Sequence, residues 1–222
     1  MKRGQSHFSS SGRDQPGNTG SKNDSDPFSV PAGHDGVPRI WTIGHSTRTL
    51  DEFLELLGHY AIQALADVRR FPGSRRYPHF QRDELAVSLP AHGIAYCWLP
   101  KLGGRRPARP DSRNTAWRNA SFRGYADYMD SAEFAEGLGE LLDFARGRRT
   151  AVMCAEAVWW RCHRSMLADL LGVRGIEVVH IVDERHAAPH PYTAPARIVD
   201  GRLTYEVDRG QPLTAGKPGA SP

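Results

Sequence analysis

The stretch Thr150-Ala-Val-Met-Cys154-Ala-Glu156-Ala-Val-Trp159-Trp160-Arg-Cys162-His163-Arg164 is the most informative part of the chain, because it reads as a strand, a turn and the start of a helix. Thr150–Met153 is a short apolar run of strand length, and Cys162–Leu171 follows with helical periodicity. A β-to-α step of this kind belongs to α/β proteins, in which a parallel sheet carries helices on its faces. The same stretch concentrates two thiols, a carboxylate, an imidazole and guanidinium groups at the turn, where a reactive site would lie.

The flanking sequence repeats the alternation. Arg39–Ile43, Ile62–Val68, Ile94–Leu99 and Glu177–Val182 read as further strands. Thr49 caps a helix with Asp51 and Glu52 in its first turn and Phe53, Leu54, Leu56 and Leu57 on its apolar stripe. Asp83–His92 is a second helix, interrupted late by Pro90, and a Gly/Pro/Arg loop covers roughly residues 100–122. Helical patterns resume at Tyr125–Met129 and at Ser131–Arg146, where Ser131 caps and Phe134, Leu138, Leu141, Leu142 and Ala145 share a face. Asp200-Gly201, between Arg197–Val199 and Leu203–Tyr205, marks a two-residue hairpin expected to add antiparallel edge strands to the sheet. The expected fold is therefore α/β, a mostly parallel five-stranded sheet with helices on both faces plus a C-terminal β-hairpin.

Residues 1–38 are dominated by Ser, Gly, Asp, Asn and Pro, and residues 208–222 by Gly and Pro, so both are expected to be disordered tails around a single α/β domain at 39–207. Lys2 and Arg3 are not followed by an apolar run, and no run is long enough to span a membrane. The three cysteines, Cys97, Cys154 and Cys162, do not suit a disulfide framework, and free thiols fit a reducing cytoplasm. Net charge is +4, unevenly placed. Residues 69–123 hold twelve Lys or Arg against three acids, a net +9, and the remainder sums to −5. Such a block either attracts phosphates or forms a solvated basic surface.

Ligands of open parallel sheets sit beyond the carboxyl ends of the strands. Four strands here end in polar groups: Gly44-His45-Ser46, Asp67-Val68-Arg69 with the Ser74-Arg75 loop, Lys101-Leu102-Gly103-Gly104-Arg105, and Cys154-Ala155-Glu156. If the strands are parallel, all four gather at one edge. Each also has a duller explanation. His45 alone would be a satisfied structural histidine, Asp67 would pair with a neighbouring Arg, and Gly103-Gly104 would be an ordinary loop pair, although its N–H groups suit an anion. Trp159 and Trp160 read either as core or as a lid or stacking surface, the second favoured because two adjacent side chains do not easily face one core.

The thiols admit three readings. A thiolate at a strand end followed by a helix N-terminus resembles rhodanese-like sulfurtransferases and cysteine phosphatases, but those families place an Arg six residues after the Cys, where this chain has Trp160. Zinc binding by Cys154, Cys162 and His163 lacks paired Cys-x-x-Cys spacing and a fourth ligand. Inert, buried thiols are the third. Cys162, beside His163 and Arg164 at a helix start, is expected to be the more acidic thiol, and Cys97 is expected to be core.

Taken in order, Thr42-Ile43-Gly44-His45-Ser46, Asp67-Val68-Arg69 with Pro72-Gly73-Ser74, Leu102-Gly103-Gly104, and Cys154-Ala155-Glu156 with Cys162-His163-Arg164 resemble the bacterial domain-of-unknown-function family 488 over about residues 39–185. The resemblance implies a compact α/β domain with a shared polar cluster at these positions, and no established reaction.

The functional expectation is an enzyme acting on a phosphate-bearing ligand, a nucleotide or nucleic acid. Arg69, Arg75, Arg105 and Arg164 would bind phosphate oxygens alongside Ser46, Asp67, Ser74, Gly103 and Gly104. Glu156, His45 or His163 would move protons, and Cys154 or Cys162 would attack. The alternatives are a non-catalytic nucleic-acid-binding or adaptor module using the basic block, and thiol or persulfide transfer. The sequence does not identify a cofactor.

Overall fold

The computed structural model describes residues 38–207. The tails expected at 1–38 and 208–222 lie, apart from Pro38, outside the described residues. Five parallel strands form the sheet: β1 (Arg39–Gly44), β2 (Ala64–Asp67), β3 (Ala95–Trp98), β4 (Thr150–Cys154) and β5 (Glu177–Ile181). A short antiparallel strand, β6 (Ala187–Pro189), completes one edge beside β5, giving the order β3-β2-β4-β1-β5-β6. The C-terminal hairpin forms as expected from β7 (Arg197–Val199) and β8 (Arg202–Thr204), turning at Asp200 and Gly201, both with positive φ. It does not extend the main sheet, contrary to the expectation. It is a separate two-stranded unit, and β6, too short and exposed to carry an apolar signature, takes the edge.

Alternation along the strands divides the core in two. Trp41, Ile43, Leu65, Ala151 and Met153 face α1 (Leu50–His59) and α2 (Arg82–Ala91). Ile40, Ala66, Val152, Cys154 and Val178 face α3 (Ala120–Met129), α4 (Ala132–Ala145) and α5 (Arg164–Val173). Both faces of the parallel strands are thus covered by helices, which explains their near-continuous apolar character. α1 begins with a full capping box, Thr49 Oγ1 accepting from Glu52 N and Glu52 Oε2 accepting from Thr49 N. α3 starts at Ala120, five residues before the expected start, because Asn119 Oδ1 accepts from the Ser121 and Phe122 amides. No helix among the described residues is long and apolar enough to cross a membrane.

The topology sets the position of the site. The connections after β1 and β2 leave towards the α1/α2 face, whereas the connection after β4 leaves towards the α5 face. β4 lies between β2 and β1 in the sheet, so its carboxyl end sits where neighbouring chains diverge. This is the switch-point position at which open sheets leave a crevice.

Candidate active site

The strand ends meet at one edge. Gly44 is in register with Cys154, and Asp67 is in register with both Met153 and Trp98. The pairing continues past the strands, with His45 N donating to Cys154 O and Ser46 N to Ala155 O, both at 3.0 Å. Gly44 permits this close approach: a Cβ there would lie 1.9 Å from Glu156 O. Ser46 has a positive φ of 53°, which turns the chain out of β1 towards α1.

At this edge Cys154, ending β4, and Cys162, two residues before α5, bring their sulfurs to 2.7 Å. A short 3-10 turn at Trp159–Arg161 folds the intervening chain back so that the sulfurs meet. Glu156 N points at Cys154 Sγ (3.4 Å) and Arg164 N at Cys162 Sγ (3.5 Å). The hydrogen bond that the neutral Cys154 thiol donates to Cys162, and then burial, push the Cys154 thiol well up. Burial also pushes Cys162 up, but donation from Cys154, the Arg164 guanidinium and the Arg164 amide outweigh it and lower Cys162 to about 6. The two shifts run in opposite directions, which makes Cys162 the more acidic thiol and Cys154 the donor to it.

Arg164 is buried, 1% exposed, and its Nη2 donates to Glu156 O at 2.5 Å, tying α5 to the turn. His163 Nε2 lies 3.2 Å from Val68 O, an acceptor, so Nε2 carries the proton and Nδ1 presents its lone pair to Cys162 Sγ at 3.5 Å. Burial, foremost, lowers the His163 pKa, which keeps the imidazole neutral.

A second buried group lies alongside. Arg69 pairs bidentately with Asp67, Nε to Oδ1 at 2.8 Å and Nη2 to Oδ2 at 2.6 Å, and the Tyr96 hydroxyl donates to Asp67 Oδ2 at 2.9 Å. Arg69 Nη1 donates to His45 Nε2 at 3.2 Å. His45 Nδ1 in turn reaches Ser46 O at 3.0 Å, and the ring stacks on Phe80. Burial, then the charge of Arg69, lowers His45 to about 4. These contacts fix the Arg69 guanidinium while leaving one N–H on each terminal nitrogen for a ligand.

A cavity of about 210 Å³ opens above the sulfurs. Its floor is Cys154, Cys162 and His163, its walls include Phe71, Phe122 and Tyr125, and Arg69, Arg70, Arg105, Arg161 and Glu156 reach its rim. The volume is below that of a pocket for a drug-sized ligand, so the occupant is small.

Of the residues singled out from sequence, Cys154, Glu156, Cys162, His163, Arg69, Gly104 and Arg105 line this cavity. Arg164, Asp67 and His45 stand behind it, holding the lining groups. Gly103 and Gly104 serve close packing: a Cβ would meet the Arg70 backbone at 2.8 Å in the first case and His163 Nδ1 at 2.9 Å in the second. Ser46 lies in the turn after β1, and Ser74 Oγ accepts from Tyr77 N in a loop outside the cavity. Arg75 is exposed and does not line it. Neither tryptophan lines the cavity. Trp159 stacks on His180 at 4.2 Å, with 5° between the ring planes, and Trp160 is exposed. Cys97 is half-buried against the α3–α5 side of the core.

Sequence reasoning missed Phe122 and Tyr125 as walls, and it missed a buried chain behind Trp159. Thr42 Oγ1 meets His180 Nδ1 at 2.6 Å, His180 Nε2 meets His190 Nδ1 at 2.8 Å, and His190 Nε2 meets Asp169 Oδ1 at 2.9 Å. Thr193 and Tyr205 hydroxyls donate to the other Asp169 oxygen. These residues are spread from 42 to 205, and no local spacing announces them.

Fold and site together define an α/β protein with a dithiol at the carboxyl edge of a parallel sheet, under an arginine-rimmed cavity. Residues 49–171, more than half of the chain, match the family described as Domain of unknown function DUF488, and the chain belongs to that family. No curated protein and no solved structure matches it.

Proposed function

We propose that the protein is an enzyme acting on a small anionic substrate by nucleophilic attack of the Cys162 thiolate. The observation that carries this reading is the 2.7 Å Cys154–Cys162 pair on the floor of a cavity whose rim carries four arginines. Arg69 and its rim neighbours bind the anion, a phosphate or a carboxylate. Cys162 attacks, and neutral His163, 3.5 Å away, accepts the thiol proton when one is present. Arg164 and the first amide of α5 hold the negative charge on sulfur. Asp67 and His45 are positioning residues for Arg69. Glu156, exposed at the rim, meets the substrate from the solvent side.

Two observations favour this over the other readings. Only three metal-ligating side chains, Cys154, Cys162 and His163, come within 4.8 Å of one another among the described residues, one short of a closed structural zinc site. Part of the basic block is also tied into contacts within the fold. Lys101 pairs with Glu136 and Glu140, Arg82 with Asp83, Arg106 lies over Tyr128, and Arg123 donates to Trp117 O. This favours a local anion pocket over an extended nucleic-acid footprint.

The test compares iodoacetate with uncharged iodoacetamide at each cysteine of the full chain. Iodoacetate should label Cys162 the faster of the two, and rising salt should erase its advantage. A Cys162 that prefers iodoacetamide at low salt would remove the anion-binding claim.

A further inference from the structure

We infer that the substrate is a low-molecular-weight disulfide bearing anionic groups, and that Cys154 resolves the mixed disulfide formed on Cys162. The inference rests on the thiolate reading above and adds the substrate class and a role for the second thiol. Acyl or phosphoryl transfer by Cys162 would use Cys154 only as a hydrogen-bond donor to the thiolate. A neighbouring sulfur at 2.7 Å can do more, because it is placed to attack a sulfur-linked adduct on Cys162. Both sulfurs lie on the cavity floor, so the adduct forms within reach of the resolving thiol and under the arginine rim.

The steps balance. The Cys162 thiolate attacks one sulfur of R–S–S–R, the substrate S–S bond breaks, and one RS⁻ leaves and takes a proton from solvent. Cys154 then gives up its proton, and His163 Nδ1 is the acceptor at hand. Cys154 attacks Cys162 Sγ, forming the Cys154–Cys162 disulfide and expelling the second thiolate, which takes up that proton. The substrate gains two electrons and becomes two thiols, and the protein pair loses two. An external dithiol, small or protein-borne, restores the reduced pair by the same exchange in reverse.

The experiment uses the full chain carrying Cys97→Ala, so that only the two site thiols remain. Dithiodiglycolate, a small dianionic disulfide, is compared with the uncharged bis(2-hydroxyethyl) disulfide, and intact mass is followed with time. The expected product has lost two hydrogens and retains no adduct, and the dianion reacts about tenfold faster at low salt. With Cys154→Ser added, one thioglycolate should remain on Cys162. Protein that keeps the adduct on Cys162 with Cys154 intact would overturn the resolving role and leave the nucleophile standing. Equal rates for the two probes would overturn the anionic substrate class. Reaction at Cys162 no faster than that of a free thiol at the same pH would sink both this inference and the thiolate reading. The stoichiometry with both thiols present decides the matter even if the serine variant fails to fold.

Discussion

At the scale of single residues, the site works by surrounding one sulfur with groups that favour its negative charge. Arg164 is the main cationic contributor, so Arg164→Gln, which keeps a donor for Glu156 O but removes the charge, should raise the Cys162 pKa by about a unit or more. The pH at which Cys162 alkylation is half-maximal measures this directly, and an unchanged midpoint would contradict it. His45 makes a separate prediction about stability. Its folded pKa, about 4, lies below the ordinary value of 6.5, so the unfolded chain binds the proton more readily. Its contribution is therefore complete above about 6.5 and declines as pH falls towards 4, by roughly 3 kcal/mol in all. Denaturant titrations from pH 7 to 4 should show a shallower decline in His45→Gln, whose amide oxygen still accepts from Arg69. Much at this scale was legible in the sequence: Cys162 as the more acidic thiol, Asp67 paired with a neighbouring Arg, Cys154 and His163 beside it. The partner of His45 was not, because Arg69 lies 24 residues away and only the β1–β2 edge brings the two together.

Elements place these residues through backbone contacts that tolerate little. The ends of β1 and β4 close over Gly44, and Gly44→Ala would force a Cβ against Glu156 O. It should cost roughly 2–3 kcal/mol and slow Cys162 alkylation, because the 154–157 turn must move. Gly58, in α1 with open space around its Cα, is the control: Gly58→Ala should be neutral or stabilise by about 0.5–1 kcal/mol. Thermal unfolding of the two variants checks both, and equal effects would refute the packing argument. The strands, the Thr49 cap and the α4 stripe were readable because period and capping chemistry are local. The start of α3 was hidden by the Arg- and Gly-rich sequence ahead of Tyr125, although Asn119 is a favoured cap. The edge strand β6 carries Ala and Pro where an apolar alternation would be needed to announce it. The tryptophans illustrate the same limit. Their adjacency suggested a lid, but Trp159 is held by His180, a residue on β5 that sequence distance cannot connect to it.

For the whole molecule, the decisive fact is that β4 inserts between β2 and β1. Alternating strands and helices predict a parallel sheet with helices on both faces, and the structure has one. Strand order is a global property, however, and only the order sets Cys154 between the ends that carry His45 and Asp67. Charge behaves likewise: a local count gives +9 over residues 69–123, but only folding decides that Arg69, Arg70 and Arg105 of that block line the cavity over the two sulfurs. Anion binding should therefore be confined to small molecules and fall with salt in proportion to a few contacts, which titration with inorganic phosphate at two ionic strengths would check. The proposed chemistry depends on Cys162 being a thiolate at neutral pH in its buried, arginine-flanked setting. The most direct measurement is the rate of iodoacetamide labelling at each cysteine of the full chain as a function of pH, read by peptide mass. Cys162 should be half-maximal near pH 6 and well ahead of Cys154 and Cys97 at pH 7. A Cys162 rate that rises only above pH 8, in step with Cys97, would contradict the account.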